Sequence, residues 1–253
     1  MSYAIVFSSR TGNTALLAQT LREQLPQADC ILLPLPLEQA DLPLAQLLGT
    51  AKPGALALGG KVTESALSIA RAAGVELVDY FARPELTVYN AIPTAEGCIG
   101  ILLERRSRTL WGAAVLVLGF GPVGRALAVR LAALGARVTV AARRPVQRAM
   151  AEELGLRAVP LTELVAEAAA FDTVVNTIPA LVLTAQVLAA LPKKSLIVDL
   201  ASKPGGTDFA AARRLGHTAL HALSLPTVWA PETAGEALAR TVQAILQERE
   251  GTV

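Results

Sequence analysis

Cysteine and histidine are scarce in this sequence. Only two residues of each type occur among 253, so there is neither a disulfide framework nor a zinc-binding pattern. We interpret Cys30 and Cys98 as small buried hydrophobic residues. Two thiols in so long a chain are typical of a reducing compartment, and the N-terminal segment lacks the basic and apolar regions of an export signal. We therefore expect a cytoplasmic protein without a metal ion.

An excess of charge of one sign and long hydrophobic runs are also missing. The chain has 23 basic and 21 acidic residues, a net charge of +2, which is too balanced for electrostatic binding to nucleic acid. Hydrophobic residues make up 53% of the sequence, but no uninterrupted apolar run reaches the roughly 18 residues that a membrane-spanning helix needs. We expect a protein that binds neither nucleic acid nor a membrane.

Patterns typical of strands and helices alternate along the chain, which predicts an α/β fold with parallel sheets. The length exceeds that of a Rossmann half-domain and favours two domains. We predict a smaller α/β domain for substrate or partner over residues 1–92, and a doubly wound Rossmann domain with a linker helix over 93–225. A C-terminal helix in residues 226–253 is expected to cross back onto the first domain. The linker helix is predicted from Thr94 to Leu110.

A strand, a glycine turn, a helix and a second strand follow one another between Ala113 and Arg144. In such a turn the first glycine permits the tight bend, the second lets the backbone approach a pyrophosphate, and the third lets helix and strand pack closely. The N-terminus of the helix then stabilises the phosphate charge. The pattern predicts a dinucleotide site formed by Gly119, Phe120, Gly121, Pro122, Val123 and Gly124.

The second strand ends without an acidic residue. A free ribose 2′-hydroxyl usually binds an Asp or Glu about 20 residues beyond the glycines, whereas a 2′-phosphate binds Arg. Here Arg143 and Arg144 follow the strand, and the first carboxylate is Glu152. We therefore predict NADP(H) rather than NAD(H), although an arginine pair at a strand end can also be only a solvated edge.

Two further loops are expected at the same edge of the sheet, because ligands of open parallel sheets bind beyond the carboxyl ends of the strands. Asn176, Thr177 and Pro179 follow one strand and are assigned to the cofactor, with a simple strand-ending turn as the alternative. The next loop, residues 199–208, is rich in polar residues and glycine, which favours a functional role. A third loop is predicted over residues 89–97, where Thr94 could equally be a helix N-cap.

These segments together resemble the A-subunit family of dipicolinate synthase, from about Ala28 to the C-terminus. The resemblance rests on YNAIPTAEG (89–97), GFGPVG with ALGARVTVAAR (119–143), VNTIP (175–179), DLASKPGGTDF (199–209) and APETAG (230–235). It implies an NADP-linked subunit that oxidises dihydrodipicolinate, or its hydroxylated precursor, to the dipicolinate of bacterial spores. It also implies a flavoprotein-like second subunit, and we expect a homo-oligomer.

Oxidation of a dihydropyridine ring transfers a hydride to the nicotinamide and removes a proton, while two carboxylates are held in place. Lys203 is expected to anchor a carboxylate, and Glu96 or Asp208 to accept the proton. Either acidic residue could instead be only a helix-terminal group that interacts with the helix dipole. The neutral substrate-binding donors are expected to be Asn90, Thr94, Ser202 and Thr207. His217 and His221 lie outside the family motifs and receive no role.

Two features depart from the family. The first domain is shorter, and its opening, residues 5–21, resembles the start of a flavodoxin, in which an SxTGNT loop cradles the FMN phosphate. Suitable flavin loops do not follow, so FMN is not expected at SSRTGNT (8–14). Glu232 stands where the family has a lysine, which leaves the substrate open. The alternatives are another two-domain NADP-dependent dehydrogenase of a hydroxy or keto acid, and a non-catalytic nucleotide-binding subunit.

Overall fold

The structure is a computed structural model that describes residues 3–5, 29–34, 37, 43–249 and 251. The chain divides into two compact units, Met1–Thr87 with Ala237–Val253, and Val88–Glu236. Each unit contains one parallel sheet, which confirms the predicted two-domain α/β fold class. The SSRTGNT segment, for which the sequence predicts no FMN site, lies outside the described residues.

The first unit contains a four-stranded sheet in the order β1-β2-β3-β4. Its described strands are β1 (Tyr3–Ile5), β2 (Cys30–Leu32), β3 (Leu56–Gly59) and β4 (Glu76–Asp79), and its described residues also form the helices α1 (Leu44–Gly49) and α2 (Glu64–Ala72). All strand pairs are parallel. Thr63 begins α2 as an N-cap, since its hydroxyl accepts a hydrogen bond from Ala66 N at 3.3 Å.

The second unit contains a six-stranded sheet with helices between successive strands. Its strands are β5 (Ala114–Leu118), β6 (Arg137–Ala142), β7 (Arg157–Pro160), β8 (Thr173–Asn176), β9 (Leu196–Asp199) and β10 (Thr218–His221). The remaining helices are α3 (Pro84–Arg105), α4 (Pro122–Ala133), α5 (Pro145–Glu153), α6 (Leu164–Glu167), α7 (Ala185–Ala190), α8 (Phe209–Arg214), α9 (Leu225–Trp229) and α10 (Pro231–Arg249).

The strand order in this sheet is β10-β9-β8-β5-β6-β7, with every pair parallel. The direction of winding reverses between β5 and β8, as in a doubly wound Rossmann sheet, and ligands of such sheets bind at this switch point beyond the carboxyl ends of the strands. Strands β8 and β9 are buried along their whole length, as is typical of central strands in a parallel sheet with both faces covered. The loops after β5, β8 and β9 therefore meet at one edge.

Both faces of each sheet carry an apolar core. In the first unit, alternate residues of β3 point to opposite faces. Ala57 packs in one buried cluster, whereas Leu56 and Leu58 pack in another that also contains Ala237 and Ile245 of α10. The C-terminal helix thus supplies part of the core of the first unit.

Helix α3 begins ten residues before the predicted start at Thr94 and ends at Arg105. The predicted loop over residues 89–97 is wrong, because this segment is helical, and Thr94 is not an N-cap. Pro84 occupies the first position, where a missing N–H costs nothing, and Pro93 lies inside the helix. An internal proline costs about 3 kcal/mol. Burial of Ala95, Cys98 and Leu102 in the main core offsets that cost.

By length and composition alone, α3 could also cross a membrane. Core helices of water-soluble proteins satisfy the same criterion, so it carries little weight. Ala95, Cys98 and Leu102 are 0% exposed inside the unit, so one face of the helix belongs to the core, whereas Val88 and Leu103 are exposed.

Both cysteines are buried free thiols, which confirms their interpretation as small hydrophobic residues. Burial raises the pKa of the Cys98 thiol far above its usual range and raises that of Cys30 as well. Both side chains are therefore neutral core residues.

Candidate functional site

The glycine turn after β5 is held in a conformation that admits no side chain at two positions. Gly119 has a φ of 91°, and a Cβ on it would lie 2.5 Å from Thr177 Oγ1. A Cβ on Gly124 would clash with the carbonyl oxygen of Gly119. The first and third glycines therefore serve the close packing of turn, helix and neighbouring loop that their spacing predicts.

Gly121 differs from both, since a Cβ on it would meet nothing within 4 Å. It is the N-cap of α4, and no side chain caps this helix. The space beside the turn is thus open, and the unpaired N–H groups and dipole of the helix face it. This combination suits a phosphate, so the turn fits the pyrophosphate of a dinucleotide.

The other predicted residues of the turn contribute in different ways. Phe120 is 3% exposed and belongs to the core, so its backbone alone is available to a ligand. Pro122 is the first residue of α4, where proline is favoured, and Val123 is half-buried.

The end of β6 lies beside the glycine turn, because Gly119 N donates to the carbonyl of Ala141 at 2.9 Å. Arg143 and Arg144 follow this strand, are exposed, and form no ion pair with any described residue. Arg148 braces the same strand end by donating to the carbonyls of Ala142 and Arg143 at 3.0 and 3.1 Å. The strand end thus presents two free guanidinium groups and no carboxylate.

A buried carboxylate, Asp199, organises the loops after β8 and β9. Its side chain is 0% exposed and accepts hydrogen bonds from four groups. They are Asn176 Nδ2 at 2.9 Å, Ala201 N at 3.0 Å, Gly206 N at 2.8 Å and Thr207 Oγ1 at 2.7 Å. A buried carboxylate requires such compensation. Asp199 therefore joins the two loops and is not free to accept a proton from a substrate.

Asn176 shapes the exit from β8. Its Nδ2 also donates to the Ile178 carbonyl at 3.0 Å, and its Oδ1 accepts from Ile178 N at 3.0 Å. Both ends of the amide are thus committed to the turn that leads to the exposed Pro179. Thr177 donates from N and Oγ1 to the Leu118 carbonyl at 2.9 and 2.8 Å, so this loop offers a cofactor its backbone rather than these side chains.

We call residues 200–208 the β9 loop. Gly206 is enclosed, since a Cβ on it would lie 2.5 Å from both Asn176 Nδ2 and the Ile178 carbonyl oxygen. Ser202 and Lys203 are exposed at the tip of the loop, and neither forms a side-chain hydrogen bond or ion pair with a described residue. The structure thus combines a rigid base with two free polar side chains.

The last two predicted residues of this loop have structural partners. Thr207 directs its single hydroxyl hydrogen to Asp199, which corrects its expected role as a donor to substrate. Asp208 caps α8 by accepting a hydrogen bond at Oδ1 from Ala211 N at 2.8 Å. Its Oδ2 has no partner among the described residues.

The predicted residues of α3 are not joined to the β9 loop by any described hydrogen bond or ion pair. Thr94 donates from Oγ1 to the Asn90 carbonyl at 2.6 Å within the helix, so its hydroxyl hydrogen is not free for a substrate. Asn90 is half-buried and its amide has no partner in the described part of the chain. Glu96 is 3.5 Å from Arg130. Arg130 lies inside α4, roughly 12 Å along the helix from its N-terminus at 1.5 Å per residue.

His221 belongs to the site although it lies outside the motifs. Its Nε2 is 2.8 Å from the carbonyl oxygen of Ala201, and its ring packs on Phe209 with centroids 5.5 Å apart. The pairing of β10 with β9 sets His221 opposite Asp199. Its position at the carboxyl end of a strand beside β9 could have indicated this location.

The matched domain defines the class of protein. Residues 101–202 match the model of the NAD binding domain of D-isomer specific 2-hydroxyacid dehydrogenases. The doubly wound sheet and its glycine turn thus belong to an NAD-binding domain of dehydrogenase type, which supports a nicotinamide cofactor.

The particular family follows from three relatives. The chain is 42% identical over 181 residues to the dipicolinate synthase A-subunit of Bacillus subtilis (strain 168), covering 72% of this chain and 61% of that protein. The crystal structure of the dipicolinate synthase A-subunit from Bacillus halodurans is 35% identical with a TM-score of 0.81, covering 88% of this chain and 80% of that one. The crystal structure of the corresponding chain of dipicolinate synthase from Bacillus subtilis is 29% identical with a TM-score of 0.85, covering 100% and 98%.

The chain therefore belongs to the A-subunit family of dipicolinate synthase, which confirms the resemblance of its motifs. The match to the curated relative spans about three fifths of that protein's length.

Proposed function

We propose that this chain is an NADP-dependent oxidoreductase subunit that oxidises dihydrodipicolinate, or its hydroxylated precursor, to dipicolinate during spore formation. The observation that carries the proposal is that the open glycine turn and the rigid β9 loop follow parallel strands at the same edge of one sheet, in a chain of this family. Homo-oligomeric assembly and a flavoprotein-like second subunit are parts of the same proposal.

The dinucleotide is assigned to the glycine turn and the end of β6. The N–H groups at the start of α4 and the open space beside Gly121 suit the pyrophosphate. The free guanidinium groups of Arg143 and Arg144 suit a 2′-phosphate, because Arg binds phosphate through charge-assisted, often bidentate hydrogen bonds. When bound, the nicotinamide accepts the hydride.

The substrate carboxylates are assigned to the tip of the β9 loop. Lys203 supplies a positive charge and Ser202 a hydroxyl, and both side chains are free of partners in the described structure. Asn90 remains a candidate neutral donor because its amide is unpaired.

Asp208 is the preferred proton acceptor. It is half-buried on the same loop as Lys203, and Oδ2 remains free while Oδ1 caps α8. Glu96 is the weaker candidate, since its carboxylate lies beside Arg130 rather than beside the loop. The substrate thus loses a hydride to the cofactor and a proton to a side chain, which balances the oxidation.

A second candidate function is a dehydrogenase of a hydroxy or keto acid. The match of residues 101–202 to the domain of 2-hydroxyacid dehydrogenases favours it, as does Glu232 in place of a lysine. Glu232 lies in the first turn of α10, where a carboxylate is stabilised by the helix dipole, so a structural role also accounts for it.

The test is the growth of NADPH absorbance with enzymatically generated dihydrodipicolinate, with and without the flavoprotein partner. Turnover by the isolated chain would exclude a purely non-catalytic role, and turnover of a 2-hydroxy acid in its place would favour the second candidate. Absence of NADP⁺ reduction under both conditions would contradict the proposal.

Single variants separate the assigned roles. Lys203→Met is expected to raise KM for the substrate, with Lys193→Met on another exposed loop as control. Asp208→Asn keeps a good helix cap and is expected to lower kcat roughly 100-fold, the scale of general base catalysis. Glu96→Gln is expected to retain wild-type turnover. Wild-type kinetics in both Lys203→Met and Asp208→Asn would show that the site is assigned to the wrong residues.

A further inference from the structure

The β9 loop is clamped from two sides at a single residue, Ala201. Ala201 N donates to Asp199 Oδ1 at 3.0 Å, and the Ala201 carbonyl oxygen is 2.8 Å from His221 Nε2. Four residues further on, Gly205 N donates to the Ser202 carbonyl at 2.8 Å and closes the turn that bears Lys203. The Lys203 turn therefore projects from a fixed base.

The partner of His221 determines its tautomer. A carbonyl oxygen can only accept a hydrogen bond, so Nε2 must carry the hydrogen. The same donor exists in the neutral and the protonated imidazole, and the contact does not depend on which form is present. Phe209 packs on one face of the ring and restricts its rotation, so His221 is a fixed donor to the loop.

The loop is built to fit this ring. Gly205 has a φ of 87°, and a Cβ there would lie 3.3 Å from His221 Nε2 and 3.2 Å from Asp199 Oδ2. Histidine and carboxylate thus approach the loop backbone from β10 and β9 at the same point. Asp199 has four donors, whereas His221 is the only described side chain that donates to the Ala201 carbonyl.

The tip of the loop has the chemistry of a carboxylate site. The backbone N–H groups of Ser202 and Lys203 donate to no other described residue, and the Ser202 hydroxyl and Lys203 ammonium group are exposed beside them. Successive free N–H groups in a turn form a concave anion site. Its geometry depends on the peptide that joins Ala201 to Ser202 (the Ala201 peptide), which carries the Ser202 N–H and directly precedes the N–H of Lys203.

We infer that His221 is a positioning residue, which fixes the Ala201 peptide so that the turn at Ser202 and Lys203 can bind a substrate carboxylate. This inference rests on the proposed function for the identity of the substrate. It assigns His221 no contact with the reacting atoms, and it predicts an effect on substrate affinity rather than on cofactor affinity.

Two substitutions separate the donor from the ring. His221→Phe retains an aromatic ring for Phe209 but removes the donor, whereas His221→Gln retains an amide donor at comparable reach. The matched control is His217→Phe, because His217 Nε2 makes a similar contact with the Leu188 carbonyl at 2.9 Å, outside the β9 loop. Each variant is first compared with the wild type by melting temperature and NADPH affinity.

The decisive readouts are steady-state kinetics and hydrogen exchange of the peptide covering residues 200–208. His221→Phe is expected to raise KM for the substrate about tenfold with kcat changed less than twofold, because loss of about 1.4 kcal/mol of binding is a factor of ten. Exchange at the hydrogen-bonded amides of Gly205 and Gly206 should accelerate. His221→Gln should restore most of both properties, and His217→Phe should change neither.

Failure of this inference is distinguishable from failure of the proposed function. An inactive wild type contradicts the proposed function, and His221 is then judged on exchange alone, which needs no substrate. Unchanged exchange in His221→Phe overturns the inference in every case. With an active wild type, an unchanged KM, or equal losses in KM and NADPH affinity, also overturns it.

Discussion

The three glycines in the turn after β5 differ in whether the protein itself excludes a side chain at their position. At Gly119 and Gly124 the protein itself excludes a side chain, because a Cβ would lie 2.5 Å or less from oxygen atoms of Thr177 and Gly119. At Gly121 the protein leaves the space open. A substitution at Gly121 alone can therefore test for a bound ligand without changing the fold.

Gly121→Ala is predicted to weaken NADPH binding roughly tenfold or more, since forcing a methyl group into a close contact costs about 1–3 kcal/mol. Its φ of −81° suits alanine, so the free energy of unfolding should change by less than about 1 kcal/mol. Isothermal titration and urea denaturation measure the two quantities. Gly49→Ala is the control, because it also meets open space but lies in the other unit. A wild-type affinity for NADPH in Gly121→Ala would contradict the assignment of the pyrophosphate to this turn.

The sequence predicts the turn residues better than the polar loops, for a physical reason. Glycine spacing reports backbone conformation directly, whereas the partner of a hydroxyl depends on three-dimensional packing. Thr207 and Asp199 are eight residues apart in the sequence, yet their oxygen atoms are 2.7 Å apart. The sequence pattern alone predicts that Thr207 is a free donor, and it predicts no role for Asp199.

At the scale of secondary structure, α3 and α9 illustrate how packing decides local conformation. Trp229 of α9 lies against two glycines of α3, since a Cβ on Gly97 would be 2.9 Å from its ring and one on Gly100 would clash with it more severely. The predicted helix start at Thr94 was wrong because two prolines and a polar motif favour a loop. The burial that stabilises the helix around Pro93 is a tertiary property.

Gly100→Ala is predicted to destabilise the protein by about 1–2 kcal/mol. Overpacking against the indole costs about 1–3 kcal/mol, and the better helix propensity of alanine returns up to about 1 kcal/mol. Combination with Trp229→Leu should recover part of the loss, which urea denaturation of the four proteins in the cycle would measure. Gly235→Ala in α10 meets open space and should be neutral or stabilising. Additive losses in the double variant would contradict the packing.

For the whole molecule, the strand order and the division into two α/β units follow from the alternation of strands and helices together with general rules of parallel sheets. Ion pairs between distant segments do not follow from such rules. Arg106, after α3, is paired with Asp172 at 2.8 Å, before β8. Its guanidinium group is buried and also donates to Thr173, so this contact joins the two elements at the amino end of the strands.

This ion pair predicts how stability depends on pH. Burial raises the pKa of Asp172, but hydrogen bonds from Arg106 and Thr173 outweigh it and hold the pKa below its usual range. A lowered pKa contributes stability above the ordinary value of about 3.9, and this contribution is lost as the pH falls through the lower value. Because the carboxylate is half exposed, Asp172→Asn should cost about 1 kcal/mol or less at neutral pH.

The difference in unfolding free energy between wild type and Asp172→Asn should disappear in acid. Chemical denaturation at neutral pH and at a series of decreasing acidic pH values measures it, with Glu153→Gln, an exposed residue without a described ion pair, as control. A difference that persists unchanged below the pKa of the carboxylate would contradict the role of the ion pair.

The central claim is that a phosphorylated nicotinamide dinucleotide occupies the glycine turn, with Arg143 and Arg144 at its 2′-phosphate. Equilibrium titration of the purified protein with NADPH and with NADH, repeated on the Arg143→Ala/Arg144→Ala variant, tests it most directly. The account predicts at least tenfold preference for NADPH, lost in the variant with NADH affinity unchanged, since each charge-assisted hydrogen bond contributes about 1.5–3 kcal/mol. Equal wild-type affinities for both dinucleotides, unaltered by the double substitution, would contradict it.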